Sequence, residues 1–475
     1  MNDLWPRLLS LRADLVFAVG VVLAALVTVH VLLRKREVDS AAGWIGLAWF
    51  APVAGTVAYL LLGINRVQRR ARRERPSEAT LGGGGQVRSV PGDNEHLDPL
   101  RRGIGRITAR PVLPGNAIQV LNNGDEAYPP MLDAIAAARH SVGLTTFIFH
   151  DDEWGGKFVA ALAAAQARGV AVRVLIDGIG GGWLLSRAYH ALRRQGVPAE
   201  RFLHSLLPWR MPFLNLRTHK KLLVLDGRLA FTGGMNISDA NVMATHPKAP
   251  VQDTHFRVEG PVVGQLVENF AQDWSFATQE ELRGDAWYPD LAEAGGVPAR
   301  VIDSGPDQDL EKIEFAVLQA VACAREAVQV MTPYFLADER LLTALSLAAM
   351  RGVEVDVLVP EWSDHRFVDW ASRANVGPLL REGVRIWRCP PPFRHSKAMV
   401  VDGEWCLVGS CNWDMRSFRL NFELCLEMYD RDLAGALQVL MRRCRGPALT
   451  QAVLDRRSFP RRLRDAAVRL LLPYI

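Results

Sequence analysis

Two stretches of the chain carry the same chemically useful side chains at the same spacing. The first, RTHKKLLVLDGRLAFTGGMN, runs from Arg217 to Asn236, and the second, FRHSKAMVVDGEWCLVGSCN, runs from Phe393 to Asn412. Each has a histidine, a lysine two residues later, an aspartate five residues after the lysine, then a glycine turn and an asparagine. Chance is a poor explanation for two copies of this pattern. The candidate catalytic residues are His219, Lys221, Asp226, His395, Lys397 and Asp402.

The two motif lysines stand out because the chain otherwise uses arginine. Only seven of its 56 basic residues are lysines, yet Lys221 and Lys397 occupy the same motif position. A lysine presents a compact ammonium group, whereas arginine presents a planar fork. A compact cation beside a histidine indicates a phosphate site.

Two histidines can divide the work of phosphoryl-type transfer. A neutral imidazole can attack phosphorus to give a phosphohistidine, while a second, protonated imidazole delivers a proton to the leaving alkoxide. The two lysines, with Asn236 and Asn412, would hold the non-bridging oxygens of a phosphodiester. Because the sequence has no evident carboxylate cluster suited to magnesium or calcium, we predict neither a metal nor another cofactor.

The residues around each motif predict a β-strand, so alternation decides which side chains share a face. His219 and Lys221 point to one face, and His395 and Lys397 do the same in the second copy. Asp226 and Asp402 fall on the opposite face. We therefore expect these aspartates to brace the end of the strand rather than to orient a histidine directly.

The elements that position the motifs are also duplicated. The segment from Met131 to Asp177 parallels that from Phe315 to Pro360, most plainly in RGVAVRVLID and RGVEVDVLVP. Each has a helical apolar pattern, a short β-branched run, a second helix and an alternating strand, which is typical of a sheet covered by helices. The sequence thus predicts an α/β fold of two similar halves in a pseudo-twofold arrangement with the motifs facing each other.

Two uncharged runs near the N-terminus predict a transmembrane hairpin. Leu15 to Leu33 is long enough to cross a bilayer, and Ala41 to Ile64 is a second such run, in which we expect Pro52 to introduce a kink. A cleaved signal peptide or buried core helices are the alternatives. Six arginines between Arg66 and Arg75 favour cytoplasmic termini and contact with anionic headgroups.

Composition fits this organisation without deciding the substrate. The net charge of +5 fits a nucleic-acid partner, an anionic-lipid partner, or a role in solubility alone. We expect five regions: a transmembrane hairpin with its basic cluster over residues 1–75, a linker over 76–108, halves over 109–300 and 301–455, and a tail over 456–475. The tail reads either as a basic amphipathic helix on a bilayer or as a last helix packed on the domain.

The paired motifs resemble the signature of the phospholipase D superfamily, HxKxxxxD followed by GS or GG and an asparagine. Gly234 departs from the serine that the superfamily often has at that position. The segment from Pro52 to Arg66 and the C-terminal segment resemble the bacterial cardiolipin synthase branch, so the likeness covers nearly the whole chain. It implies phospholipase D-like α/β/α halves, and a reaction in which His219 or its partner His395 attacks one phosphatidylglycerol, glycerol leaves, and a second phosphatidylglycerol accepts the phosphatidyl group. We assign the attack to His219. Phosphatidylethanolamine or another alcohol is the alternative acceptor.

The resemblance also implies a downstream carboxylate against each catalytic histidine, with Asp253 and Glu423 as the candidates. A strand-end or salt-bridge role is the alternative for both. The expected partners are phosphatidylglycerol and anionic membrane lipids rather than nucleic acid, and the expected location is the bacterial inner membrane, multi-pass, with the catalytic part in the cytoplasm. Hydrolysis to phosphatidic acid, cleavage of nucleic acid, and an inactive membrane scaffold are the competing functions.

Overall fold

The computed structural model describes residues 4–34, 38–60, 95–183, 185–204, 216–306 and 309–470. The chain divides into two compact units, Met1–Arg70 and Ala71–Ile475. The basic cluster from Arg66 to Arg75 and the glycine run from Gly82 to Gly85 lie outside the described residues.

The N-terminal unit begins with one long helix, Leu4–Arg34. Its part from Leu15 to Arg34 is, among the described helices, the one long and apolar enough to cross a membrane. The second apolar run is divided into helices Val38–Phe50 and Pro52–Ala58. The break falls where Pro52 has no N–H to continue a helix and its ring crowds the preceding turn. The predicted hairpin is therefore confirmed only for its first helix, and the described part of the second run is two shorter helices.

Polar groups join the two apolar runs within this unit. The Nδ1 atom of His30 lies 2.7 Å from the hydroxyl of Tyr59, and the indole of Trp49 donates to Thr28 Oγ1 at 3.1 Å. Such pairs satisfy polar side chains that would otherwise face an apolar environment.

The larger unit alternates strands and helices. Its strands are β1 Leu113–Asn122, β2 Ser141–Thr146, β3 Ala171–Asp177, β4 Ala199–Phe202, β5 Arg217–Thr218, β6 Leu222–Leu225, β7 Leu229–Gly233, β8 Val251–Gln252, β9 Thr254–Glu259, β10 Val297–Ser304, β11 Ala327–Met331, β12 Phe335–Leu336, β13 Glu354–Pro360, β14 Arg385–Cys389, β15 Phe393–Arg394, β16 Ala398–Val401, β17 Trp405–Gly409, β18 Trp413–Asp414, β19 Asn421–Tyr429 and β20 Ala448–Leu449. Its helices are Asp98–Thr108, Asn123–Ala137, Glu153–Ala167, Arg187–Arg194, Val262–Thr278, Lys312–Cys323, Glu339–Met350, Arg366–Asn375, Gly377–Arg381, Met415–Arg419, Arg431–Cys444, Gln451–Asp455 and Phe459–Arg469.

One mixed sheet runs through both halves. Its order is β20, β14, β13, β11, β16, β17, β19, β10, β1, β9, β7, β6, β2, β3, β4, with β5 pairing β19. The order from β10 outward to β14 repeats that from β1 outward to β4, and β1 pairs β10 at the centre. The two halves are thus related by a pseudo-twofold axis, as the repeat predicted.

Helices cover both faces of this sheet. The first half packs helices Asn123–Ala137 and Glu153–Ala167 over one apolar core, and the second half packs Lys312–Cys323 and Glu339–Met350 over another. A third core, under helices Val262–Thr278 and Arg431–Cys444, contains residues of both halves. The architecture is therefore α/β/α, with a central core shared by the two halves.

Matching helices also begin with matching caps. Asp152 Oδ1 accepts from Gly155 N at 3.0 Å, and Asp338 Oδ1 accepts from Leu341 N at 3.1 Å. Each cap satisfies an N–H group that the first helical turn leaves without a partner. The internal repeat therefore extends to the details that set where a helix starts.

The structure describes parts of the expected linker and of the expected tail. Of the predicted linker over residues 76–108, the described end is a short 3₁₀ turn and helix Asp98–Thr108, which packs on helix Lys312–Cys323. In the tail, helix Phe459–Arg469 packs on helix Arg366–Asn375, where Val468 is buried. One face of this tail helix therefore packs on the domain, whereas Phe459 and Leu463 on the same helix are exposed.

Candidate active site

The two motif histidines meet where the halves join. The ring centroids of His219 and His395 lie 6.4 Å apart, and both side chains are largely buried. Each histidine follows a two-residue strand that pairs with the opposite half: β5 with β19, and β15 with β8. The backbone N–H of His219 donates to Phe422 O at 2.9 Å, and that of His395 donates to Gln252 O at 2.7 Å.

This strand exchange pairs each histidine with a carboxylate of the other half. His219 Nδ1 lies 3.1 Å from both carboxylate oxygens of Glu423, and His395 Nδ1 lies 2.7 Å from Asp253 Oδ2. Because Nδ1 faces the carboxylate, Nε2 is the ring nitrogen directed away from it, and Lys397 Nζ lies 3.0 Å from Nε2 of His395. The sequence analysis identified both carboxylates as candidates, but it did not predict that each contacts the histidine of the opposite half.

The motif lysines complete a buried cluster of opposite charges. Lys221 Nζ donates to His219 O at 2.5 Å, and Lys397 Nζ lies 2.8 Å from His395 Nδ1. Burial and the neighbouring Lys397 lower the pKa of Lys221 to about 7, and burial lowers that of Lys397 to about 8 in spite of Asp253 and Glu423. A bound anion would favour the protonated form of both lysines.

The pKa values of the two histidines and of the two carboxylates are all lowered. Burial lowers the pKa of His219 to about 4, although Glu423 opposes the shift, and burial with Lys397 lowers the pKa of His395. Burial would raise the pKa of Asp253, but Lys397 and His395 outweigh it and hold the pKa at about 2. Burial would likewise raise the pKa of Glu423, but His219 and Lys221 outweigh it and lower the pKa. Both carboxylates are therefore ionised at neutral pH, and both imidazoles are neutral.

The motif aspartates lie at the end of the strand that is remote from the histidines, where we expected them to brace it. Asp226 Oδ1 accepts from His140 N at 2.7 Å and from Ser141 N at 2.9 Å, where a helix turns into β2. Asp402 Oδ1 makes the matching bonds to Glu326 N at 2.8 Å and Ala327 N at 2.9 Å. Neither aspartate contacts a motif histidine in these bonds, and each ties its own strand pair to the adjacent turn.

The glycine turns differ between the halves for a steric reason. A Cβ atom built on Gly234 would lie 2.4 Å from Asp253 Oδ1, so a larger residue there would displace this carboxylate. In the second half Ser410 takes the equivalent position, and its hydroxyl donates to Glu423 Oε2. The longer glutamate thus leaves room for a serine that the shorter aspartate does not.

The motif asparagines are placed near the site but engaged differently. Asn236 Oδ1 accepts from Ile148 N at 3.1 Å, which fixes the orientation of its amide. Asn412 is buried, and its Oδ1 has no hydrogen-bond partner among the described residues. A buried polar atom without a partner is costly unless a ligand or water completes it.

Three further residues position the histidines, and the sequence analysis did not single them out. Phe147 packs on the ring of His219 with centroids 5.1 Å apart, and Tyr334 packs on His395 at 6.3 Å. Asp177 is buried at the end of β3, and its Oδ2 accepts from Thr218 N, next to His219, at 2.9 Å. All three lie at or just after the end of a strand: Phe147 follows β2, Tyr334 lies three residues after β11, and Asp177 is the last residue of β3.

No group of three or more histidine, cysteine, aspartate or glutamate side chains suited to a metal occurs in the part of the chain that the structure describes. Lys221 and Lys397 are the motif cations buried beside the two histidines.

A sheet built from two copies of one α/β unit, with a histidine and a lysine of each copy at the junction, defines a phospholipase D-like protein. The family described as "Cardiolipin synthase, PLD-like domain" matches residues 131–274 and 317–445, and the one described as "Phospholipase_D-nuclease N-terminal" matches residues 22–63. The chain belongs to this cardiolipin synthase family of phospholipase D-like proteins. The N-terminal match and the apolar helix indicate a membrane-associated protein.

Curated relatives agree over most of the chain. Cardiolipin synthase A of Pseudomonas fluorescens strain SBW25 is 35% identical over 88% of this chain and 89% of its own length. Cardiolipin synthase of Geobacillus kaustophilus is 32% identical over 100% of this chain and 96% of its own length. Among solved structures, phosphatidylserine synthase of Haemophilus influenzae Rd KW20 covers 79% of this chain and 100% of its own, with a TM-score of 0.61 and 15% identity, which supports the fold.

Proposed function

We propose that the protein makes cardiolipin by transferring a phosphatidyl group from one phosphatidylglycerol to another, with release of glycerol. The observation that carries the proposal is the pair of histidines, 6.4 Å apart between ring centroids, each held by a carboxylate and accompanied by a buried lysine. Two imidazoles at this spacing can flank one phosphorus, one as nucleophile and one as proton donor.

In the first step, we assign the attack to Nε2 of His219. A bond forms between Nε2 and phosphorus, the bond from phosphorus to the glycerol oxygen breaks, and His395 gives its Nε2 proton to that oxygen. In the second step, the hydroxyl of another phosphatidylglycerol gives its proton to His395 and attacks phosphorus. The nitrogen–phosphorus bond then breaks, which releases cardiolipin and restores both histidines.

The charges of the site suit this sequence of protonation states. His219, whose pKa burial lowers to about 4, is neutral at pH 7, as a nucleophile must be. His395 must be protonated to act as an acid, and an incoming phosphodiester anion would favour its imidazolium. Lys221 and Lys397 would also gain protons on binding and then neutralise the charge on the non-bridging oxygens.

Asn236 and Asn412 complete the proposed phosphate site. Each asparagine follows one of the two glycine turns beside the cluster. The amide of Asn236 is fixed by a hydrogen bond, and that of Asn412 is buried. We assign them to the non-bridging oxygens, and we assign Glu423 and Asp253 to orienting His219 and His395. Asp226 and Asp402 act through the strand ends that carry the motifs.

The membrane assignment follows from the substrate and from the N-terminal helix. Phosphatidylglycerol is a bilayer lipid, and the helix from Leu15 to Arg34 is long enough to hold the enzyme in that bilayer. We propose a multi-pass protein of the bacterial inner membrane whose catalytic part faces the cytoplasm. The basic segment after the second apolar run supports this orientation by the positive-inside rule. We expect lipids and not nucleic acid as partners.

The proposal is tested by supplying the purified, detergent-solubilised chain with labelled phosphatidylglycerol and following lipid products and free glycerol. Cardiolipin with equimolar glycerol is the expected result, and His395→Ala should lose both products. Phosphatidic acid as the main product would instead establish the hydrolase, because water and a lipid hydroxyl compete for the same intermediate.

A further inference from the structure

A cavity separate from the histidine pair lies in the second half. It has a volume of about 500 Å³ and lies between the ends of β13 and β14 and the helices Arg366–Asn375, Gln451–Asp455 and Phe459–Arg469. None of the motif histidines or lysines lines it. A concave space of this size is within the range that binds small ligands and cofactors.

The cavity shares a wall with the proposed catalytic site. Pro333 and Phe335 line the cavity, whereas Tyr334 between them packs on His395, with ring centroids 6.3 Å apart. Successive side chains of an extended segment point to opposite sides. The two sites are therefore distinct, and they lie on either side of one short segment.

The lining is strongly basic. Its five arginines face two carboxylates, Glu361 and Asp369, and the arginines are Arg373, Arg388, Arg457, Arg461 and Arg464. Asp465, buried beside the cavity, forms ion pairs with Arg457 and Arg464. Among the described residues, no carboxylate lies in ion-pair contact with the other three arginines.

Two of these three arginines lie in surroundings where a bound anion would offset the cost of burial. The Nε atom of Arg388 is buried and has no hydrogen-bond partner among the described residues. Burial lowers the pKa of Arg373, Asp369 opposes this shift, and the nearby cation Arg457 adds to it. Because buried N–H groups without acceptors are costly, a phosphate oxygen between these guanidinium groups would be stabilised.

Apolar side chains continue from the basic lining to the surface. Phe335, Val368 and Ile386 line the cavity, and Trp362, which also lines it, is 63% exposed. Phe459 and Leu463 are 74% and 59% exposed on the helix that supplies Arg461 and Arg464. Arginines beside exposed aromatic and aliphatic side chains are typical of a surface that meets the interface of an anionic bilayer.

We propose that this cavity is a second lipid site, which binds the phosphate headgroup of an anionic phospholipid and holds the second half against the bilayer. Arg373, Arg388 and Arg461 contact the phosphate, and the acyl chains leave past Trp362 and Phe459. The proposal rests on the cavity and its charges, so it stands or falls independently of which reaction the histidines perform.

The test is photocrosslinking of the full chain in neutral detergent. The probe is phosphatidic acid with a diazirine on one acyl chain, and the control probe is phosphatidylcholine with the same acyl chain. Cross-linked peptides are mapped by mass spectrometry. We expect the anionic probe to label the segments 361–373 and 451–464 about tenfold more than the zwitterionic probe, since charge-assisted contacts to three arginines favour it.

Two variants test the assignment by separate routes. The double variant Arg373→Gln with Arg388→Gln removes two of the three proposed phosphate contacts, and Val453→Trp fills the cavity from an exposed lining position without altering any charge. Each should lower labelling of the cavity segments about tenfold. Arg443→Gln, on the exposed face of helix Arg431–Cys444, is the matched control and should leave labelling unchanged.

Several results would overturn the proposal. Equal labelling by the two probes would remove the anion requirement, and labelling that survives Val453→Trp in a folded protein would place the lipid elsewhere. Loss of labelling when excess inorganic phosphate is added would show that the cavity takes free phosphate rather than a lipid. Catalytic activity with phosphatidylglycerol enters none of these readouts.

Discussion

At the scale of single residues, the site contains two histidine–carboxylate pairs, and each pair joins residues from both halves. Glu423 holds His219 and Asp253 holds His395, so each half supplies the carboxylate for the other half's imidazole. A carboxylate that accepts from Nδ1 fixes the tautomer and stabilises the imidazolium when it forms. The two histidines can therefore take different roles in one reaction although their motifs are copies.

The assignment of His219 as the nucleophile predicts where a covalent adduct forms. His219→Ala should yield no phosphatidyl enzyme with labelled phosphatidylglycerol, because the attacking Nε2 is gone. His395→Ala retains the nucleophile and should still permit slow labelling of His219. Acid-labile label on the protein, mapped by mass spectrometry, measures both outcomes. An adduct on His395 in the His219→Ala variant would reverse the assignment.

The lysines predict how binding depends on pH. Lys221 has a pKa of about 7 and Lys397 a pKa of about 8, so both lose their protons as the pH rises through these values. An anionic ligand favours the protonated lysines, so its affinity is full below pH 7 and falls as pH rises above that value. We expect the Kd of sn-glycero-3-phosphoglycerol, a phosphodiester whose charge is constant in this range, to rise about tenfold or more between pH 6.5 and 8.5.

Calorimetric titration at several pH values measures this dependence, and Lys221→Arg is the matched control. A guanidinium stays protonated throughout the range, so this variant should show a flatter profile even if its affinity is lower. A Kd that does not change with pH in the unmodified chain would contradict lysine titration at the site.

Gly234 predicts a steric effect on Asp253. In Gly234→Ala the added Cβ would meet Asp253 Oδ1 at 2.4 Å, so this carboxylate must move away from its contact with His395. We expect turnover to fall about tenfold or more, since small misplacements of positioned groups are costly in catalysis. Gly435→Ala, in helix Arg431–Cys444 with nothing within 4 Å of the added atom, is the control and should be near normal. Equal activities of the two variants would contradict the steric argument.

At the scale of elements, the motif aspartates close the turns that start β2 and β11. Asp226→Asn replaces a charged acceptor of three backbone N–H groups, those of Arg139, His140 and Ser141. We expect the free energy of unfolding to fall by about 1–3 kcal/mol, with turnover per folded molecule little changed. Thermal unfolding and active-site titration separate the two effects, and exposed Asp133→Asn is the control. A folded but inactive Asp226→Asn protein would give this residue a direct role.

The sequence predicted these elements well where the cause was local. Alternation along LLVLD and AMVVD placed Asp226 and Asp402 away from the histidines, and the repeat of RGVAVRVLID and RGVEVDVLVP predicted the twofold sheet. It did not predict that β5 pairs β19, because pairing between residues about 200 positions apart has no local signature. It also treated Ala41 to Ile64 as one kinked helix, whereas the described residues form two helices separated at Ala51.

At the scale of the whole molecule, the sheet of the larger unit has no boundary between its halves. β10 pairs β1 of the first half along one edge and β19 of the second half along the other. The central apolar core contains Phe256 and Val258 together with Leu424 and Leu426. Because each motif histidine contacts a carboxylate across this same junction, neither half contains a complete proposed site, and we expect both to unfold together.

Arg300 tests this expectation at the centre of the sheet. It is fully buried on β10, forms an ion pair with Glu427, and donates to Arg110 O at 3.0 Å and Arg101 O at 3.2 Å. Arg300→Met leaves the buried Glu427 with its neutral donors Trp405 and Tyr429 but without its ion-pair partner, so we expect the free energy of unfolding to fall by about 3–5 kcal/mol. Replacing Glu427 by methionine as well should recover part of the loss, since no unpaired charge then remains.

Calorimetry with hydrogen exchange in both halves measures the outcome. If the junction couples the halves, Arg300→Met lowers a single transition, and exchange accelerates in β2 and β3 as much as in β11 and β13. Two separate transitions, with β2 and β3 still protected after the second half has unfolded, would mean that the halves are independent folding units. In that case the exchanged strands β5 and β15 would have to form after each half has folded, and the site would assemble last.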